Sequence, residues 1–258
     1  MSYLSANIVI RALPPPSRGW GFPISLLSLL ISLSAGWALS SAHAADVPIK
    51  DPDSNGELVF NYDINLPGTY TLNRIKRAAD GKVLDTDGKA RALTDFFGGD
   101  KLTLLSFIYS SCADPNGCPY AYAVFHQIKS RLEREQPQLA NKLRLVSLSF
   151  DPERDTPAML KLYAGDNVTA AHGVQWDFLT TASLRELIPI LDAYRQDVYI
   201  DLDPKTGKSV GTMSHVLKVF LIDRDKYVRE IYTASYLNPD VAYNDILTLL
   251  LEDGARLK

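Results

Sequence analysis

Cys112 and Cys118 are the only thiols in the 258-residue chain, and five residues separate them in the stretch SSCADPNGCP. On one helix they would point apart, because six steps of 100° leave them about 240° from each other. The residues Asp114-Pro115-Asn116-Gly117 have turn chemistry instead, since proline presets φ and Asn-Gly tolerates positive φ. Such a turn folds the two sulfurs back towards each other. Pro119 suits the first turn of a helix, which would set Cys118 beside a helix N-terminus, where unpaired N–H groups and the macrodipole favour a thiolate. Three chemistries fit this pair: a structural disulfide, a redox pair, or two arms of a metal site. A disulfide closing so small a ring contributes only about 2 kcal/mol through loop-closure entropy, little for a domain of this size.

The elements around the pair narrow the choice. Residues 102–109 (LTLLSFIY) form a nearly continuous apolar run, as expected of a strand buried on both faces, and the cysteine segment follows at once. Ala121, Phe125, Ile128 and Leu132 then recur at helical spacing, and Pro137 lies just beyond. Residues 143–150 (LRLVSLSF) predict a second buried strand, and residues 151–157 (DPERDTP) lead into a helix through about Tyr163. Residues 182–194 predict another helix. Residues 216–223 and 226–232 predict an antiparallel pair, and Asn238-Pro239 opens a last helix through about Glu252. Before all this, residues 46–100 hold short apolar stretches broken by Pro67-Gly68, Asp80-Gly81 and Asp87-Gly88. A β-α-β half followed by a β-β-α half is the thioredoxin order of elements. The expected fold class is therefore α/β, a thioredoxin-like fold with an N-terminal β-hairpin extension, its cysteines at the first strand-to-helix junction.

Two thiolates are a soft donor set that suits Cu(I), and one added imidazole allows Cu(II) as well. The chain has four histidines. His43 falls in the N-terminal segment. His126 lies on the polar side of its expected helix and reads as a solvated residue. His172 sits in an expected loop away from the cysteines. His215 ends the expected small-residue loop Gly211-Thr212-Met213-Ser214-His215, which runs into an expected strand whose entrance can face the cysteine loop. Met213, two residues away, is an optional soft ligand, with loop packing as the default reading. Asp151, Glu153 and Asp155 could form a carboxylate cluster, but Asp155 or Thr156 as a helix cap is the simpler role.

Residues 1–44 contain Arg11 and Arg18 but no Asp, Glu or Lys, followed by an apolar stretch and Ala42-His43-Ala44. This is the layout of a secretory signal cut after Ala44, with an uncleaved membrane anchor as the alternative. Residues 45–258 are then the folded domain. Removing two arginines leaves 25 basic and 30 acidic residues, a formal charge of −5 that argues against a nucleic-acid partner. An exported protein lives where disulfides persist, yet two cysteines are too few for a scaffold.

The blocks LTLLSFIYSSCADPNGCP, LRLVSLSFDPERDTPAMLKLYA and SHVLKVFLID together resemble the Sco/SenC family of thioredoxin-like copper chaperones over about residues 76–250. The resemblance implies Cys112, Cys118 and His215 as ligands of copper, as Cu(I) or Cu(II). It also implies a role in building the binuclear copper site of a terminal oxidase, a copper-receiving respiratory protein as partner, and action as a monomer. The family usually has three residues between the cysteines and an aspartate before the histidine; this chain has five, and Ser214. The expected function is thus an exported, periplasmic copper chaperone rather than a turnover enzyme, held to the inner membrane if the signal stays uncut. The alternative is a thiol-disulfide oxidoreductase using Cys112 and Cys118 without metal. A peroxidase is disfavoured because Tyr109 stands where such sites place Thr or Ser.

Overall fold

The computed structural model describes residues 51–52, 58–60, 62–169 and 173–257. The expected signal, its cleavage site and His43 lie outside the described residues, as does His172. Short strands β1 (Asp51–Pro52) and β2 (Leu58–Val59) pair with each other, β3 (Lys76–Arg77) joins the edge of the main sheet, and β4 (Lys82–Leu84) pairs with β5 (Ala90–Ala92). The β-α-β half follows as β6 (Leu102–Ile108), α1 (Cys118–Glu135) and β7 (Leu143–Ser149). Next come α2 (Pro157–Ala164), β8 (Gln175–Leu179) and α3 (Leu184–Tyr194). Then come β9 (Val198–Leu202), β10 (Ser209–His215), β11 (Lys218–Ile222), β12 (Tyr227–Thr233) and α4 (Pro239–Glu252).

Six strands form the main sheet in the order β3-β12-β11-β6-β7-β8. β6, β7 and β8 run parallel, while β11 and β12 are antiparallel additions. Every residue of β6 is buried, which is what a continuous apolar run in the middle of a two-sided sheet requires. On one face Phe125 of α1 packs on Trp176 of β8, with α4 beside α1. On the other, Tyr194 of α3 packs on Phe107 of β6 and Phe220 of β11. This is a thioredoxin-like α/β architecture. The first strand-to-helix junction, where the cysteines lie, therefore opens at the exposed end of the central strand.

Two elements differ from the expectation. Residues 211–215 are not a loop: they belong to β10, which pairs antiparallel with β9 to form a hairpin apart from the main sheet. The strand expected from residue 216 begins at Lys218, because Val216 and Leu217 turn the chain from the hairpin into the sheet. Small and polar residues hid this hairpin, since a strand with little apolar alternation gives a weak periodic signal.

The segment before the sheet is tied to α4 through a buried carboxylate. Tyr70 and Tyr232 both donate hydroxyls to Asp245, at 2.5 and 2.7 Å, and Asp245 is only 3% exposed. Removing one donor from a buried carboxylate costs about 1–3 kcal/mol. Tyr232→Phe is therefore expected to lower the denaturant midpoint of unfolding; an unchanged midpoint would show that this tie contributes nothing.

Candidate metal centre

Residues 109–118 carry the chain from the end of β6 to the start of α1. The Cys112 N–H donates to the Tyr109 carbonyl at 3.1 Å. Asp114 closes the turn: its carboxylate accepts the Asn116 N–H and its carbonyl accepts the Gly117 N–H, both at 3.0 Å. Neither Asn116 nor Gly117 adopts positive φ, so the expected left-handed turn is replaced by one closed through the Asp114 side chain. Cys118 is the first residue of α1 and fully buried, and Cys112 is half-buried; both are free thiols.

His215 closes β10, and its Nε2 lies 3.5 Å from Cys118 Sγ. One ligand atom from each of Cys112, Cys118 and His215 falls within 4.8 Å of the others. The imidazole stands edge-on to Phe150 at 4.8 Å and to Tyr109 at 6.3 Å, so aromatic walls fix its plane. Its Nδ1 is buried and has no hydrogen-bond partner among the described residues. A thiol pair and an imidazole converging at the end of a buried strand form a compact, soft donor set.

Burial holds the His215 imidazole below its usual pKa, against smaller opposing effects of the Val216 backbone and the Asp114 carboxylate. The ring is neutral at neutral pH, the form that offers a lone pair to a metal. Burial also pushes the Cys118 thiol well above its ordinary value, more than hydrogen bonding to the Tyr109 backbone lowers it. Cys118 does sit at a helix N-terminus as expected, but desolvation overcomes the helix dipole and keeps the thiol protonated. A bound cation reverses this balance, because its charge lies next to the sulfur.

The turn at residues 151–156 joins the two arms of the site. Asp155 is 1% exposed, and its carboxylate accepts the Ser110 N–H at 2.9 Å, the Ser149 hydroxyl at 2.6 Å and the Ser110 hydroxyl. Asp155 thus grips the root of the cysteine loop, while Thr156 caps α2 by accepting the Met159 N–H at 3.3 Å. Arg154 pairs with Asp151 and donates to the Gly211 carbonyl of the hairpin at 2.7 Å. Sequence reasoning found the cap but missed the clamp, since nothing in the spacing of DPERDTP points to residues 110 or 211.

The other candidates lie elsewhere. Asp151, Glu153 and Asp155 do not converge as a metal cluster; they serve the clamp or face solvent. His126 is not simply solvated: it is half-buried, edge-on to Tyr122 at 4.8 Å and Trp176 at 4.9 Å, and burial lowers its pKa. Met213 shares the face of β10 that carries His215 and packs against the core, and its carbonyl accepts the Tyr109 hydroxyl at 3.3 Å. Asp155→Asn replaces an acceptor of three hydrogen bonds with a group that accepts fewer. It is expected to weaken metal affinity about 10-fold at unchanged stoichiometry, as loss of an outer support does. Unchanged affinity by competition with a chelator would remove the clamp's role.

The comparisons fit this geometry. The SCO1/SenC family model matches residues 76–251. The SCO1 protein homologue of Bacillus subtilis (strain 168) is 27% identical over 163 residues, covering 63% of this chain and 75% of its own. The solved structure of Bradyrhizobium japonicum ScoI with copper bound is 26% identical with a TM-score of 0.51, over 67% of this chain and 99% of that one. BsSco, described as a member of the Sco family of cytochrome c oxidase assembly proteins with a disulfide switch, is 24% identical with a TM-score of 0.50, over 70% and 96%. With two thirds of its length matched and the thiol-imidazole cluster inside that stretch, the chain belongs to the SCO1/SenC family.

Proposed function

We propose that this chain is an exported copper chaperone that holds one copper through Cys112, Cys118 and His215 and hands it to a copper centre of a respiratory oxidase. The observation that carries this reading is the convergence of two thiols and one neutral imidazole within 4.8 Å. Copper bound in the Bradyrhizobium relative and the oxidase-assembly description of BsSco support it. Export rests on the layout of residues 1–44. Among the described residues no helix is long and apolar enough to cross a membrane.

Two thiolates and a neutral His215 give a site charge of −1 with Cu(I) and zero with Cu(II), so one pocket serves both oxidation states. Cys118 forms the buried side of the site, and Cys112 and His215 are both half-buried. An incoming thiolate or imidazole of an acceptor reaches copper from the half-buried side and displaces Cys112 or His215 before Cys118. Each exchange then replaces one bond as another forms, and no free ion is released.

Anaerobic titration of the reduced protein is expected to show one copper per chain, with a thiolate-to-Cu(II) absorption band after oxidation. Cys112→Ser, Cys118→Ser or His215→Ala should each weaken binding by more than about 100-fold, beyond the usual effect of an outer-shell change. Absence of stoichiometric binding would overturn the reading. The second reading, a thiol-disulfide oxidoreductase, is favoured by the two free thiols and the disulfide switch described for BsSco. In that case His215→Ala would leave thiol exchange with a model disulfide intact.

Proton release tests the electrostatics. Binding at neutral pH must take the proton from Cys118, whose pKa is raised, and none from His215, whose pKa is lowered. Affinity is therefore expected to rise with pH through the neutral range. Calorimetry in buffers of different ionisation enthalpy should count the same number of protons for wild type and His215→Ala. A smaller count in the variant would mean that His215 is charged before binding.

A further inference from the structure

Tyr109 follows β6 directly, is buried at 4% exposure, and is tied to each of the three ligands by a different kind of contact. Its backbone hydrogen-bonds the Cys118 sulfur. Its ring stands edge-on to His215 at 6.3 Å and packs at 5.2 Å on Phe150, the other aromatic wall of the imidazole. Its carbonyl accepts the Cys112 N–H at 3.1 Å, a turn that brings the Cys112 thiol beside the Tyr109 hydroxyl. A residue so placed can act on the metal centre without being a ligand of it.

The Tyr109 hydroxyl has one proton and two acceptors within reach. On one side is the Met213 carbonyl of β10 at 3.3 Å, longer than the range of about 2.5–3.0 Å in which O–H···O bonds are strong. On the other is the Cys112 sulfur. Burial first, and then the charge and hydrogen bonding of Cys112, push the hydroxyl up to about 12, so it keeps its proton and remains a donor. While Cys112 is a free thiol it is a weak acceptor, and the carbonyl holds the proton. A thiolate reverses that order, because a hydrogen bond to a charged acceptor is roughly twice as strong as one between neutral groups.

We propose that Tyr109 is a positioning residue of the metal centre whose hydroxyl turns from the Met213 carbonyl to the Cys112 sulfur when that sulfur becomes a thiolate, an inference that rests on the copper reading. The thiol proton leaves to solvent as copper binds and the phenol keeps its own, so the turn is a rotation about the C–O bond of Tyr109 with no bond made or broken in it. A donor on the sulfur draws charge away from copper, and the sulfur carries more charge opposite Cu(I), where the site charge is −1, than opposite Cu(II). The hydroxyl therefore biases the site towards Cu(I). The same rotation frees the Met213 carbonyl, two residues before His215, so the group that steadies the hairpin in the empty site steadies the thiolate in the loaded one.

The test compares the full chain, loaded with copper, as wild type and as Tyr109→Phe, which keeps the ring and removes only the hydroxyl. The ratio of Cu(I) to Cu(II) affinity, read as the midpoint potential of a mediated redox titration, is expected to fall about 10-fold in the variant, which is about 59 mV for a one-electron couple. The thiolate-to-Cu(II) band is expected to move to longer wavelength, because a sulfur without its donor gives up an electron more easily. A hydroxyl that only braces the hairpin would change both affinities alike, and an unmoved potential and band would overturn the proposal. Site-specific 3-fluorotyrosine at position 109 keeps every contact and is a stronger donor, so it is expected to move potential and band the opposite way, and it keeps the test decisive should Tyr109→Phe misfold; a shift in the same direction as Tyr109→Phe, or none, would also overturn the proposal. Copper stoichiometry on the same samples separates the two readings. One copper per chain without these shifts sinks the role of Tyr109 alone, and no stoichiometric copper in the wild type sinks the copper reading and this role with it.

Discussion

The carboxylate of Asp155 is the constraint on which the metal centre depends. The site must bring together two thiols and an imidazole that is 97 positions from the nearer cysteine; pairing of β11 with β6 sets the start of one strand beside the end of the other, and the loops beyond must still be held. Asp155 is buried with no cation on it, satisfied instead by an N–H and two hydroxyls from the ends of the central strands. A carboxyl group held in this way tolerates little displacement, because every lost donor leaves a buried oxygen unpaired. Its neighbour Arg154 extends the grip to the hairpin. One short turn thus adds to the β6–β11 pairing a tie between the cysteine loop and the hairpin that carries His215, and the spacer between the cysteines hangs from an anchored root.

Burial then decides the chemistry of the ligands before any metal arrives. Cys118 gains from the helix N-terminus but loses more by desolvation, so the empty site keeps a protonated thiol, and His215 stays neutral for the same reason. Such a site resists ionisation on its own and becomes a strong donor set only when a cation supplies the compensating charge. That suits the carrier role proposed above. A permanently ionised, accessible thiolate would instead be open to oxidation and to indiscriminate exchange.

Much of this was legible in the residues. Continuous apolar runs marked β6 and β7, and helical spacing with Pro119 and Pro137 bounded α1. The turn chemistry between the cysteines placed both sulfurs at one junction. What escaped were features made by tertiary contact. β8 is only five residues. The β9–β10 hairpin carries glycine, serine and threonine where alternation would have shown it, and its pairing comes from its partner strand rather than from an apolar stripe. The contact of the Tyr109 hydroxyl with the Met213 carbonyl exists only because that hairpin comes against the end of β6. The raised Cys118 pKa was hidden too, since spacing reveals a helix terminus but not the depth at which it is buried.

The hairpin also fixes the role of Ser214, the residue before His215. Successive residues of a strand face opposite sides, so Ser214 points away from the face that presents His215 to the thiols. Ser214 and Thr212 instead donate their hydroxyls to Asp201 on β9, each at 2.6 Å. A carboxylate is therefore present on this outer face, supplied by the paired strand and held by two neighbours. Asp114, within the five-residue spacer, only weakly opposes the effect of burial on the imidazole. Burial rather than a neighbouring carboxylate therefore sets the state of the ring, and the position before the histidine is left to shape the hairpin's outer surface.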